Sequence, residues 1–194
     1  MFTRILATVA MLVWSSATLQ AETHTRKAAM TNYVPMHDRS GKKIGEVSLQ
    51  TSATGSLFSV QLSGVASGWH AIHLHENPDC SDGDQGFLKA GGHANPQHKK
   101  HGFKSTDGFH LGDLANVYVF PTCEQSTDKS SDGVAIQARS QQILAAITSA
   151  DAPRSYAVIL HEHPDDYVTD PHGMGGKRIG CAVVSTTSPY KNGS

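Results

Sequence analysis

The stretch GWHAIHLHENPDC, residues 68–80, places three histidines in a run that otherwise has the pattern of a core strand. Side chains alternate across a β-strand, so His73 and His75 share one face and the apolar residues next to them share the other. Two imidazoles about 7 Å apart on one strand face can converge on one ion. This stretch alone leaves open whether they are ligands or exposed surface histidines. His70 falls on the apolar parity, which predicts a core or supporting role.

Short runs with period-two alternation recur along the chain. In SLFSVQLSG, Phe58, Val60 and Leu62 share one face and polar residues share the other. Similar runs lie near residues 44–49, 117–119, 134–138, 157–160 and 179–184. With the opening stretch and AAMTNYVPM, these runs predict about eight strands. Short strands separated by Gly-, Ser- and Asp-rich turns are typical of an all-β antiparallel sandwich or barrel.

Two long polar segments interrupt the strand pattern, at residues 76–113 and 162–177. Loops of this length inside a compact domain are usually functional or disordered, and these carry many potential ligands. His161 ends the apolar run SYAVILH, where a strand would hold it rigidly. Three histidines and a carboxylate complete a tetrahedral zinc site. The first loop offers four histidines and a carboxylate from which such a set could be drawn, namely His93, His98, His101, His110 and Asp113.

The N-terminus has the pattern of an export signal. Arg4 supplies the charge of the first 21 residues, and an apolar run of about ten residues follows, too short for the roughly 20 that span a bilayer. Small residues allow cleavage after Ala21 or Ala17. We expect residues 1–21 to be a signal peptide and residues 22–194 to be one domain, periplasmic and free of the membrane once the signal is removed.

Composition narrows the class of partner. The formal net charge is −1, which argues against a nucleic-acid partner, because such partners favour a strongly basic face. Twelve histidines are the clearest compositional anomaly. Three cysteines in an exported protein indicate one disulfide and one leftover thiol. The residues alone permit any pairing among Cys80, Cys123 and Cys181.

The ordered motifs together resemble a known family. GWHAIHLHE, GGHANPQHKKHG, FHLGDLANV, HEHPDD and GGKRIGC are similar, in order and internal spacing, to the motifs of copper/zinc superoxide dismutases of the exported bacterial type. The resemblance covers about residues 30–185. It implies an eight-stranded antiparallel Greek-key β-barrel or sandwich of immunoglobulin-like architecture, with the two long loops carrying the function.

The resemblance implies two metals per subunit, one copper and one zinc. It assigns copper to four imidazoles, which suit both oxidation states of copper, namely His73, His75, His93 and His161. It assigns zinc to mixed nitrogen and oxygen ligands, namely His93, His101, His110 and Asp113. His93 would therefore bridge both metals and act in catalysis.

Further roles follow from the same resemblance. Asp165 matches a carboxylate that links a copper-ligand and a zinc-ligand histidine, and a one-residue slip would give this role to Asp166. His70 matches a position that supports the copper region without ligating it. Arg178 matches the arginine that guides superoxide to copper as a catalytic residue, by fixed charge and N–H donors.

The resemblance pairs Cys80 with Cys181 and leaves Cys123 unpaired, buried and inert or linked to another molecule. A loop of about 100 residues closed in this way is worth on the order of 4–5 kcal/mol in the chain-entropy model. Several histidines have no counterpart among the family's ligands and are expected at the surface, with extra metal binding left open: His98, His163 and His172.

The implied activity is disproportionation of superoxide to O₂ and H₂O₂ by alternate reduction and oxidation of the histidine-bound copper beside a structural zinc. The implied partner is superoxide, and a homodimer stays open because oligomer contacts vary among bacterial members. The alternative is a non-catalytic periplasmic copper/zinc buffer or carrier on the same fold. Storage alone would need neither a bridging histidine nor a guiding arginine, which favours the enzyme.

Overall fold

A computed structural model describes residues 33–52, 55–121, 135–140 and 155–186. The predicted signal peptide and Cys123 lie outside these residues. Within them the regular structure consists of β-strands and two 3₁₀ turns, Gly83–Gln85 and Leu88–Ala90. The predicted all-β class is confirmed, and it follows from the period-two patterns and the glycine-rich turns.

The described residues form nine strands. They are β1 Val34–Asp38, β2 Lys43–Ser52, β3 Gly55–Leu62, β4 Gly68–His70, β5 Ile72–His75, β6 Val117–Val119, β7 Ala135–Ser140, β8 Ser155–His161 and β9 Arg178–Ser185. Seven form one sheet in the order β5-β8-β9-β1-β2-β3-β7, and β4 pairs with β6 in a second. Every described pairing is antiparallel. Some neighbouring strands, such as β5 and β8, are far apart in sequence, and the long connections between them are typical of a Greek key.

The predicted strand over the opening stretch is divided in two at Ala71. The Ala71 N–H donates to His163 O at 2.8 Å, and Ala71 O accepts from His161 N at 2.9 Å. These bonds to the end of β8 take Ala71 out of the ladder, so β4 joins β6 while β5 joins β8. The described residues therefore contain nine strands, where the pattern predicts about eight.

Apolar side chains from both sheets form one main core. Phe58, Val60 and Leu62 are all buried, as the alternation in β3 predicts. Ile72 and Leu74 of β5 join the same core. Because successive side chains of a strand point to opposite faces, their burial in the core places the histidines of β5 on the other face.

The first long loop returns along the free edge of β5. Leu74 N donates to Gly112 O, and Ala94 N donates to Leu74 O, both at 2.9 Å. His75 pairs with His93, and His73 pairs with Asp113, as isolated bridges. Gly112 must be glycine, because a Cβ there would collide with Leu74 O. The loop's candidate ligands are thereby held against the histidines of β5.

A disulfide joins Cys80 to Cys181, residues 101 apart in sequence. It links the beginning of the first loop to β9 and confirms the pairing that the resemblance implied. Among the described residues, no helix is long and apolar enough to cross a membrane.

Candidate metal centre

Four imidazoles converge beside β5, and we call them the four-histidine cluster: His73, His75, His93 and His161. Each offers one ring nitrogen, and these nitrogens all lie within 4.8 Å of one another. All four residues are at most 5% exposed. Two come from β5, one from the end of β8 and one from the first loop, so three different segments build the cluster.

Each ring of the four-histidine cluster is held by one nitrogen and leaves the other free. Nε2 of His73 lies 2.8 Å from Asp165 Oδ2, and Nδ1 of His75 lies 3.0 Å from Gly91 O. Nδ1 of His161 lies 3.3 Å from Gly176 O. Among the described residues, the buried nitrogens without a hydrogen-bond partner include His73 Nδ1 and the Nε2 atoms of His75, His93 and His161.

The environment keeps three of these imidazoles neutral, those of His75, His93 and His161. Burial, reinforced by the neighbouring His93 and by Arg178, holds the pKa of His75 far below its usual value. Burial likewise lowers the pKa of His93 to about 3, although Asp113 opposes that shift. Burial and the neighbouring His73 lower the pKa of His161 to about 3. Neutral imidazoles are the form that binds a metal, because the lone pair must be available.

A second group, which we call the carboxylate cluster, contains His93, His101, His110 and Asp113. The Nδ1 atoms of its three imidazoles lie 2.9, 3.0 and 3.2 Å from Asp113 Oδ1. The other oxygen, Oδ2, accepts from the backbone N–H groups of Gly102 at 2.8 Å and His110 at 3.1 Å. The carboxylate is therefore fixed by the backbone while one oxygen faces three nitrogens.

The carboxylate cluster differs from the four-histidine cluster in containing groups that favour their charged forms. Burial alone would raise the pKa of Asp113, but the three imidazoles and the Gly102 N–H hold it far below its usual value. Burial alone would lower the pKa of His101, but Asp113 and Asp165 raise it to about 9. His101 thus lies between two carboxylates, Asp113 and Asp165, which favour its protonated form.

His93 belongs to both clusters. Its Nδ1 faces Asp113, and its Nε2 is the nitrogen offered to the four-histidine cluster. Its ring centroid lies 4.0 Å from that of His73 and 5.1 Å from that of His101. A single imidazole therefore separates the two groups.

Asp165 connects the two clusters from behind. Its Oδ2 lies 2.8 Å from His73 Nε2, and its Oδ1 lies 3.0 Å from His101 Nε2. The neighbouring Asp166 is exposed, and its carboxylate accepts from the backbone of Val168. Of the two carboxylates that the sequence left open, Asp165 is the one between the rings.

His70 lies behind the four-histidine cluster and is 4% exposed. Its ring nitrogens lie 2.8 Å from His161 O and 2.9 Å from Ala66 O. The ring therefore joins the backbone at the end of β8 to the segment before β4. This contact supports the segment that carries His161.

Arg178 lies at the start of β9 and is partly buried. Its Nη1 donates to Phe87 O at 2.6 Å and its Nη2 donates to Gly91 O at 2.8 Å. Gly91 O also contacts His75 Nδ1, so one carbonyl connects the guanidinium to the four-histidine cluster. The positive charge of Arg178 contributes to the lowered pKa of both His75 and His161.

Both clusters fit metal ions. In the four-histidine cluster, the buried nitrogens without partners are a donor set that a metal would satisfy, and all-imidazole ligation suits copper. In the carboxylate cluster, the contacts of 2.9–3.2 Å to Asp113 Oδ1 are close to the edge of a tetrahedron with ligands about 2.0 Å from zinc. His101 Nδ1 makes no hydrogen bond there with any described residue, which also fits a shared ion.

Sequence reasoning missed several groups at this centre. Asn116 holds the backbone of Asp165 in place, because its Nδ2 donates to Asp165 O at 2.9 Å and its Oδ1 accepts from Asp165 N at 2.8 Å. His172 is exposed, yet its ring centroid lies 5.5 Å from that of His93. The carbonyls that hold Arg178 carry no signal in the sequence, because every residue has one.

Comparison with known proteins identifies a family with this arrangement. A family model described as copper/zinc superoxide dismutase (SODC) matches residues 43–184. The copper/zinc superoxide dismutase of Caulobacter vibrioides is 31% identical over 74% of this chain and 79% of its own length. The first such protein of Aquifex aeolicus is 32% identical over 76% of this chain and 83% of its own.

Solved structures show the same fold. A SOD-like protein from Bacillus subtilis is 28% identical and matches with a TM-score of 0.60, covering 77% of this chain and 95% of that one. The copper/zinc superoxide dismutase of Brucella abortus, 24% identical, matches with a TM-score of 0.56 over 78% of this chain and 97% of that one.

Proposed function

This chain belongs to the copper/zinc superoxide dismutase family, and from that premise we propose that it catalyses the disproportionation of superoxide, 2 O₂⁻ + 2 H⁺ → O₂ + H₂O₂. The observation that carries the proposal is the pair of buried clusters joined through His93, with Arg178 fixed beside one of them. Metal storage would need neither the shared imidazole nor the anchored guanidinium.

The four-histidine cluster would hold copper and the carboxylate cluster would hold zinc, one of each per subunit. Bound copper would supply a one-electron redox couple, and zinc, which has no redox chemistry, would add positive charge next to the shared imidazole. The neutral state of His75, His93 and His161 supports this assignment, since their lone pairs need no proton release at neutral pH.

Arg178 would guide and orient the superoxide anion. Two of its N–H groups are bound to the carbonyls of Phe87 and Gly91, which fix the guanidinium in place. Because a guanidinium has five N–H donors, the others can serve an anion. Fixed charge near a reaction centre raises the association rate of a small anion, and added salt weakens this effect.

His93 would transfer one of the two protons. Its Nδ1 would stay with the carboxylate cluster, where Asp113 lies 2.9 Å away, so the ring would keep its position while Nε2 takes a proton and gives it to the product. The second proton would come from solvent. Asp165 would keep the rings of His73 and His101 oriented during this exchange, because it contacts both.

We also propose that residues 1–21 are a signal peptide and that residues 22–194 act in the periplasm as one domain. The charged start, the short apolar run and the small residues near Ala21 support this proposal.

A homodimer would cover exposed aromatic surface on β4 and beyond β6, where Trp69 is 56% and Phe120 is 67% exposed. Mass spectrometry of the exported protein and sedimentation velocity test these two points.

The central experiment is pulse radiolysis of the purified protein loaded with copper and zinc. We expect rapid superoxide decay for the wild type and loss of that decay for His161→Ala, which removes one nitrogen of the four-histidine cluster. His163→Ala is the matched control, since it removes an imidazole two residues away whose side chain is 63% exposed.

Slow decay in a wild type shown by metal analysis to hold both metals would reject the enzymatic function. Fast decay in a His161→Ala protein that still contains copper would reject the assignment of that ligand. Decay that is lost equally in His163→Ala would show that the effect belongs to the loop and not to the cluster.

A further inference from the structure

The segment His172–Gly176 is seated on both clusters. A Cβ at Gly173 would collide with Asp165 Oδ1 and His101 Nε2, and a Cβ at Gly175 would press on the His161 ring at 3.2 Å. Backbone bonds hold the segment in place, with Gly173 N donating to Thr169 O at 2.7 Å. The segment is therefore packed directly against residues of both clusters.

Met174 lies between these two glycines and is 67% exposed. Its φ of 60° is in the left-handed region, which a non-glycine residue adopts at some cost. A large apolar side chain in this conformation gains little from burial, so neither packing nor backbone preference accounts for methionine here. What the position offers is a thioether on an exposed side chain, between two glycines that pack against the candidate metal centre and two residues from His172.

His172 is a second exposed residue of this segment, and its ring lies close to the four-histidine cluster. The residue is exposed, and its ring centroid lies 5.5 Å from that of His93, which is shared by both clusters. One imidazole is therefore in contact with solvent and with a candidate copper ligand. The nitrogens of the four-histidine cluster are buried, so an incoming ion must first meet groups at the surface.

We propose that His172 and Met174 form a capture site for Cu(I), which they pass to the four-histidine cluster. A thioether is a soft ligand that suits Cu(I), and imidazole is a ligand that suits copper as well. The ion would exchange these ligands for the buried nitrogens without any change of oxidation state. The inference rests on the proposed function only in placing copper at the four-histidine cluster.

The test measures metal transfer rather than catalysis. Zinc-loaded, copper-free protein is mixed without oxygen with the coloured Cu(I) complex of bicinchoninate, and the loss of colour follows transfer. We expect Met174→Leu, which keeps the volume and removes the sulfur, and His172→Gln to slow transfer on the order of tenfold. Both variants should reach the same final copper content as the wild type.

Loading with Cu(II) from a nitrilotriacetate complex is the second arm of the test. Cu(II) has little preference for a thioether, so Met174→Leu should take it up at the wild-type rate. His163→Gln is the control for loss of an exposed histidine in the same loop, and it should leave Cu(I) transfer unchanged.

Wild-type Cu(I) transfer by Met174→Leu would overturn the proposal. Equal slowing of Cu(I) and Cu(II) would also overturn it, because the effect would then be opening of the segment. A lower final copper content in His172→Gln would make that residue a resident ligand instead. None of these readouts requires superoxide decay, so failure of the proposed enzymatic function would be seen separately.

Discussion

The two clusters share one histidine but differ in the partners of their buried polar atoms. In the carboxylate cluster, Asp113 faces three imidazole nitrogens. The pKa of one of these imidazoles, His101, is raised, which favours a positive charge next to the negative carboxylate. In the four-histidine cluster there is no carboxylate, and the inward nitrogens have no hydrogen-bond partner among the described residues. The first cluster therefore pairs acidic and basic groups with one another, whereas the second offers four nitrogens that a metal would satisfy.

The clusters also differ in what carries them. The four-histidine cluster takes His73 and His75 from β5 and His161 from β8, two paired strands. The members of the carboxylate cluster all lie in the first long loop, outside the named strands. A strand fixes its side chains through the sheet, but a loop needs separate tethers. Here the tethers are the Cys80–Cys181 disulfide, Asp165 and Arg178.

The largest effect is expected from removing a tether of the loop. The double variant Cys80→Ser/Cys181→Ser should lower the free energy of unfolding of the metal-free protein by about 2–5 kcal/mol, because the closed loop is long. Zinc should be lost to a chelator faster, whereas β5 and β8 keep their pairing. Denaturant titration and chelator kinetics measure the two effects. A change below about 1 kcal/mol would show that the other tethers suffice.

Removing one ligand from each cluster should separate the metals. We expect His75→Ala to lower copper affinity more than about a hundredfold and to retain zinc, because His75 belongs to one cluster alone. His110→Ala should do the reverse. Competitive titration with chelators of known affinity measures both. Loss of both metals from both variants would mean that the clusters do not form independently.

Asp165 should affect the two clusters together. Asp165→Asn keeps the shape but weakens the contacts to His73 and His101, so both affinities should fall by about 10–100-fold. Asp166→Asn is the control, since this exposed neighbour contacts neither ring. The same chelator titrations apply. If only one metal is affected, Asp165 does not couple the clusters.

The smallest effect is expected at Arg178. Arg178→Ala should lower the superoxide decay rate about tenfold and flatten its dependence on ionic strength, because steering by a fixed charge is screened by salt. Arg39→Ala is a matched control, since the Arg39 guanidinium also donates to two carbonyls of the first loop, those of Gly83 and Asp84. Pulse radiolysis over a salt series gives both slopes. If the decay rate falls equally in both variants, Arg178 acts only by holding the first loop and does not steer the anion.

Much of the fold was predictable from local pattern. The alternation in β2 and β3 is visible in the sequence, and so are the apolar runs of β8 and β9 and the two long loops between strands. The break at Ala71 was not predictable, because it depends on bonds to His161 and His163, about ninety residues away. A pattern of side chains records which face a residue prefers, and it does not record which distant strand accepts its backbone.

The candidate site divides in the same way. The imidazoles and carboxylates, their parity on β5 and their order along the chain can all be read from the residues. The folded chain was needed to show that Asp165 and not Asp166 lies between the rings, that Gly91 O connects His75 to Arg178, and that the His172 ring lies against that of His93. The physical reason is that these contacts join segments far apart in sequence, several of them through backbone atoms that every residue possesses.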